Sequence, residues 1–144
     1  MPYAASFRFD LVDHVMLIVH ADTPPLDEDW ARMAVFRNAN RDKIRSNLVI
    51  APPRASISAS QRADVASFMR ESAVSIAVVT DSALIRGVAR AVGFLGVQVR
   101  AFSPKELESA LNYLIVPPSK HAEMIRRIDS LKAQLAAHAA LQRA

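Results

Sequence analysis

Residues 75–114, SIAVVTDSALIRGVARAVGFLGVQVRAFSPKELESALNYL, decide the fold. With Val74 they open on a short apolar run, Val74 to Val79, closed by Thr80-Asp81-Ser82. Such a run, rich in β-branched residues and ended by a turn signal, reads as a strand buried on both faces. Leu84, Ile85, Val88, Val92 and Leu95 then recur at helical spacing, with Asp81 or Ser82 placed to cap the helix. Gly93 and Gly96 stop it. Val97, Val99 and Ala101 alternate with Gln98, Arg100 and Phe102, which predicts a strand with one face more exposed. Ser103-Pro104 starts a last short helix whose stripe is Leu107, Ala110, Leu111 and Leu114. Strand, helix, strand, helix in about forty residues implies parallel pairing through right-handed crossovers.

Towards the N-terminus, Phe7-Arg8-Phe9-Asp10-Leu11 alternates, turns at Asp13-His14, and continues as Val15 to Val19. This predicts an antiparallel hairpin, an edge strand feeding a central one. Thr23-Pro24-Pro25 followed by Asp27, Glu28 and Asp29 reads as a helix start. The helix is expected to run to about Arg41 and to bury Leu26, Trp30, Met33, Ala34 and Phe36. Asn47 to Ala51 is the third strand. A polar loop, Pro52 to Gln61, leads into a helix burying Val65, Phe68 and Met69; Ser58 with Gln61 fits a capping box, and Ser60 is an alternative cap.

The fold class is therefore α/β: a mixed, mostly parallel five-stranded sheet with an N-terminal antiparallel edge strand and helices packed on it. Beyond Pro117-Pro118, residues 120–144 read as one long helix. Met124, Ile128, Leu131, Leu135 and His138 follow a 4-3-4-3 spacing, flanked by Ile125 and Leu141. About three heptads of seam are marginal for a coiled coil. The boundaries drawn are a domain over 1–116 and a C-terminal helical extension over 117–144. The seam residues Met124, Ile128, Leu131 and Leu135 are assigned to self-association, with a helix folded back over its own sheet as the alternative.

A chain of 144 residues is one ordinary domain. It has no cysteine, which excludes disulfides, thiolate metal sites and cysteine nucleophiles. Three glycines leave no phosphate-cradling loop. The apolar stretch Val15–Val19 is too short to span a bilayer or act as a signal, so a cytoplasmic protein without a membrane span is expected. The net charge of +4 rests on 14 Arg and 4 Lys, eight of them between Trp30 and Ser72. No aromatic residues interleave with them, so a solvated basic surface is a better reading than nucleic-acid binding. Histidines 14, 20, 121 and 138 are dispersed, and no metal site or cofactor is expected. Ser82 opens a helix after a buried strand but lacks the flanking glycines of a nucleophile elbow, so no catalytic residue is assigned.

The element order, together with Ala77-Val78-Val79-Thr80-Asp81-Ser82 and Val99-Arg100-Ala101-Phe102-Ser103-Pro104-Lys105-Glu106-Leu107 leading to Ala110-Leu111-Asn112-Tyr113-Leu114, resembles the SpoIIAA-like branch of the STAS domains. That is the anti-sigma-factor antagonist fold, also compared with the lipid-binding CRAL-TRIO proteins. The resemblance covers about residues 6–116. Antagonist STAS domains carry a phosphorylatable serine, preceded by an acid, in the loop after the third strand. Here that place is held by Ser56, Ser58 and Ser60, none preceded by Asp, and Ser58 and Ser60 are the phosphorylation candidates.

The resemblance implies a non-enzymatic, regulatory protein–protein interaction module of bacterial signalling. Its partner would be a kinase, a sigma-factor regulator or another STAS domain, and the C-terminal helix would make it a homo-oligomer. The docking surface expected is Ser56, Gln61, Arg62, Asp81, Ser82, Arg86 and Arg90. The alternative is a carrier or sensor of an apolar or lipid ligand, which needs a cavity lined by residues such as Trp30, Phe68, Phe94 and Leu95.

Overall fold

A computed structural model describes the backbone of residues 5–143 and the side chains of residues 5–140. Strand β1 (Phe7–Val12) turns through Asp13-His14 into β2 (Val15–His20), with Phe7 opposite His20 and Val12 opposite Val15. Asp13 takes a left-handed φ of 53°, a conformation that Asp tolerates. Every residue of β2 is buried, as its unbroken apolar run requires, whereas β1 is half-buried as an edge strand should be. Strands β3 (Ser46–Ile50), β4 (Ser75–Val79) and β5 (Val99–Phe102) each pair in parallel with the strand before. The sheet order is β1-β2-β3-β4-β5, mixed and mostly parallel with the antiparallel strand at one edge.

Helices α1 (Asp27–Ala39), α2 (Ala59–Ser72) and α3 (Ala83–Gly93) make the crossovers. Each crossover advances one strand in the same direction, so a common right hand puts all three helices on one face. Met33 of α1 and Phe68 and Met69 of α2 accordingly pack with Met16, Ile18 and Ile76. Ile85 of α3 packs with Ala51 and Ala55 in a separate small cluster. The opposite face, formed by Leu17, Val19, Leu48, Ala77 and Val79, is covered by α4 (Leu107–Tyr113) and α5 (His121–Arg143).

The first helix departs from expectation at its start. Thr23 is not its cap: Pro24-Pro25 precede a helix that begins at Asp27, with Leu26 at the N-cap and no side-chain bond there. Leu26 is exposed, and its N–H donates to Ser6 Oγ at 2.9 Å. The buried residue of that turn is Asp29, whose Oδ2 accepts from Ser6 N at 2.8 Å and Ser6 Oγ at 2.6 Å, tying the helix to the start of β1.

The larger departure concerns α5. Met124, Ile128, Leu131 and Leu135 are all buried, in the same cluster as Leu17, Val19 and Leu48 of the chain's own sheet. A sheet apolar on both faces needs a second cover, and α4 packs mainly against β4 and β5. The seam residues Met124, Ile128, Leu131 and Leu135 therefore pack within the chain. Lys120 pairs with Asp13 at 3.9 Å and Arg127 pairs with Asp10, fixing α5 to the hairpin. The segment beyond 117 belongs to the core. Leu141, placed beside the seam on sequence grounds, lies outside the described side chains.

Candidate functional site

The parallel strands deliver four loops to one end of the sheet, after β2, β3, β4 and β5. The loop after β3 ends in a full capping box, Ser58 N donating to Gln61 Oε1 at 2.9 Å and Gln61 N donating to Ser58 Oγ at 3.2 Å. Gln61 is buried, and its Nε2 donates to Pro25 O and Asp27 Oδ1, both at 3.3 Å. It is an internal tie between α1 and α2 and has no surface to offer a partner. Ser58 and Ser60 are exposed, their hydroxyls 3.2 Å apart, while Ser56 is half-buried. Arg62 donates to Ile57 O at 3.2 Å and braces the loop.

Ser82, not Asp81, caps α3, its Oγ accepting from Ile85 N at 3.2 Å; Asp81 stands exposed beside it. Arg86 donates to Thr80 O at 3.3 Å. The inner face of α3 is Ile85, Ala89 and Val92. Its outer face is also apolar: Leu84, Gly87, Ala91 and Phe94, spaced i, i+3, i+7, i+10, are all exposed. Leu84 is 65% exposed and Phe94 85%, with Leu95 beside it. Arg86 and Arg90 flank this stripe. An exposed helix ordinarily turns polar residues outward, so a stripe of this kind departs from the usual pattern. Gly87 sits in its middle with open space where a Cβ would stand.

Beneath the helices lies a cavity of about 90 Å³, between the cluster under α1 and α2 and the smaller one under α3. Val49 and Val78 form its floor and belong to both clusters. Trp30 and Phe68 line it; Phe94 and Leu95 do not, because both point outward from the end of α3. Ala51, Ala55, Ser56 and Ile57 bring the loop after β3 to it.

Three polar residues that the sequence analysis assigned to no site also line this space: His20, Arg37 and Asn47. All three are buried, and His20 Nδ1, Arg37 Nε and Asn47 Oδ1 have no hydrogen-bond partner among the described residues. Burial pushes the His20 imidazole down to about 4, so it is neutral at physiological pH. Arg37 donates to Asp64 through both terminal nitrogens, at 2.8 and 3.0 Å, and stacks 4.5 Å over the Phe68 ring. Trp30 Nε1 donates to the same carboxylate at 2.8 Å. Burial alone would push the Asp64 carboxyl up, but the bonds from Arg37 and Trp30 outweigh it and hold it below its ordinary value.

The signal for His20 and Asn47 was present in the alternation of the strands. His20 follows Met16 and Ile18 on one face of β2, and Asn47 stands between Met16 and Ile76 in the ladder. A polar side chain at an inward position is the informative exception in a core.

Among the described residues no group of three or more His, Cys, Asp or Glu could hold a metal ion. His14 Nδ1 lies 3.0 Å from Lys43 O, and His121 Nε2 lies 2.9 Å from Val116 O. No helix among the described residues is long and apolar enough to cross a membrane. Comparison with protein-family models, curated proteins and solved structures gives no match to this chain.

Proposed function

We propose that this chain is a non-enzymatic regulatory module of the STAS type that docks a partner protein on the outer face of α3. The observation that carries this reading is the exposed stripe Leu84, Gly87, Ala91 and Phe94, edged by Arg86 and Arg90. Contiguous exposed apolar surface rimmed by polar groups is what interaction sites offer. Aromatic and arginine side chains are the types that most often dominate the binding energy of an interface. Gly87 supports the reading independently. A glycine inside a helix costs about 1 kcal/mol relative to alanine, and no neighbour in this fold needs the space. Close approach of a partner backbone would need it.

The element order on which the STAS resemblance rests is the one observed, from hairpin to final helix. The two arginines beside the stripe favour a partner with an acidic rim, such as a kinase or another regulatory domain. Asp81, Ser82 and the exposed hydroxyls of Ser58 and Ser60 lie at the same end of the sheet and would border that contact. A phosphate on Ser60 would sit in the first turn of α2, where free backbone N–H groups favour it.

Cross-linking in the source cell, followed by affinity capture, tests the reading with the wild type against a Phe94→Asp, Arg90→Glu variant. Both side chains are exposed, so the fold should keep its stability within about 0.5 kcal/mol. A partner retained by the wild type and lost from the variant is expected. An identical set of captured proteins would remove α3 as the docking face. Light scattering on both proteins identifies the remaining case, a dimer abolished by the substitutions, in which the partner is a second copy.

A further inference from the structure

The cavity under the helix layer is independent of the outer face of α3, and its chemistry is unusually specific for a space of its size. Most of its wall is aliphatic or aromatic: Ile18, Val49, Val78, Val88, Phe68 and Trp30 among others. An apolar cavity of this kind stays dry unless it contains polar partners for water. Here Arg37 Nε is a donor, Asn47 Oδ1 an acceptor, and His20 Nδ1 either one according to tautomer, each buried without a partner among the described residues. Natural folds seldom leave such groups unpaired, because each one costs the full desolvation penalty. Three of them bordering one cavity point to an occupant.

We infer that this cavity binds a slim, uncharged, largely aliphatic molecule carrying one hydroxyl or primary amide group. Size sets the first limit. A cavity of about 150 Å³ takes benzene, so the 90 Å³ here suits a thinner molecule of roughly four non-hydrogen atoms. The lining runs along β3 from Asn47 to Ala51, a distance of roughly 13 Å at strand rise, so a molecule this short fills only part of that length, with its polar end at Asn47. Charge sets the second. Arg37 already faces the Asp64 carboxylate through two bonds, and His20 is held neutral by burial, so no free countercharge remains for an ion. The polar end must both accept and donate, accepting from Arg37 Nε and donating to Asn47 Oδ1. A hydroxyl and a primary amide each do both. Ser56, half-buried at the loop after β3, marks the side from which the ligand enters.

Trp30 is the chain's sole tryptophan and lines the cavity, so its indole N–H resonance reports occupancy directly. The full chain, labelled with nitrogen-15, is titrated separately with n-propanol, propionamide and propionate. Saturable shifts of the Trp30 indole and of the Val49, Ala51 and Ile57 amides are expected for the two neutral probes. Dissociation constants should be on the order of millimolar, as suits so few atoms. Propionate should bind at least about tenfold more weakly. Ala89→Leu fills the space from α3 and should abolish the shifts. Asn47→Leu removes the acceptor, should weaken the neutral probes by about tenfold, and should leave the empty protein at least as stable as the wild type. The second variant decides the matter if the first does not fold. Neutral probes that give no saturable shift, with only ordered water in the cavity, would overturn the proposal. So would equal binding of propionate, or probe affinity unchanged in Asn47→Leu.

Discussion

Ile115 shows how a single residue can hold a position its chemistry disfavours. It follows α4 with a φ of 60°, in the left-handed region, and is 87% exposed. Ile115 N donates to Asn112 O at 3.0 Å and Val116 N to Leu111 O at 2.9 Å, the paired bonds that close a helix and normally place glycine at this point. A β-branched residue is strained there by roughly 1–2 kcal/mol, and its exposed side chain recovers little by packing. Replacing Ile115 by Gly should stabilise the fold by about 1 kcal/mol, less the entropy that glycine adds to the unfolded chain. Urea denaturation of the two proteins measures this. A clear loss of stability in Ile115→Gly would mean that the exposed side chain makes contacts not apparent from its burial. The capping box that sequence reading did identify, Ser58 with Gln61, obeys a spacing rule of three residues and is formed as expected. Ile115 obeys none, since nothing in an isoleucine announces a left-handed backbone.

At the scale of elements, α3 and α5 carry opposite lessons about how far periodicity reaches. Both show apolar residues at helical spacing, and for α5 that spacing left open a seam between copies or a cover over its own sheet. A 4-3-4-3 stripe fits another helix and a sheet face equally well, so Met124, Ile128, Leu131 and Leu135 could not reveal that β1 to β3 lay beneath them. Ending the chain at Pro118 should uncover that face. Each Leu, Ile or Met removed from a core costs about 2–5 kcal/mol as alanine, and four together exceed the stability of an ordinary domain. Circular dichroism of the truncated chain should therefore show a protein without a cooperative unfolding transition. A folded, soluble truncation would show that α5 is dispensable after all. For α3 the expectation that Phe94 and Leu95 line a cavity failed, because a helix apolar on both sides gives no direction to its stripe. Gly87→Ala tests what the outer side is for. With nothing within reach of a Cβ, alanine should stabilise the isolated protein by about 0.5–1 kcal/mol. The same substitution should weaken capture of the partner if that partner approaches the helix closely. Increased stability with undiminished capture would separate Gly87 from docking.

Over the whole molecule, the sheet follows from hydrophobic runs and turn signals, whereas the cavity depends on how two helices settle over a shared strand. Sequence pattern places Trp30 and Phe68 in the core but says nothing of the gap beside them, because packing density is a property of the assembled layers. The buried polar residues around that gap give the fold a measurable acid sensitivity. The His20 imidazole falls from an ordinary 6.5 to about 4 because burial disfavours its charged form. Between those values the unfolded chain binds a proton that the folded protein refuses, so stability falls as pH drops from 6.5 towards 4. The full shift corresponds to a loss of about 3 kcal/mol, with no effect above the upper limit. Asp64 works in the same direction at lower pH. Its carboxyl is held below its ordinary value, so the stability it confers is present at neutral pH and fades as acid protonates it. His20→Leu isolates the first contribution. It should flatten the decline between pH 6.5 and 4 and leave the steeper loss at lower pH in place. Stability at pH 7 should not fall, because the substitution also removes the unpartnered Nδ1. Urea titrations at pH 7, 6, 5 and 4.5 on both proteins would show it. Parallel slopes would mean that His20 is not kept from water in solution.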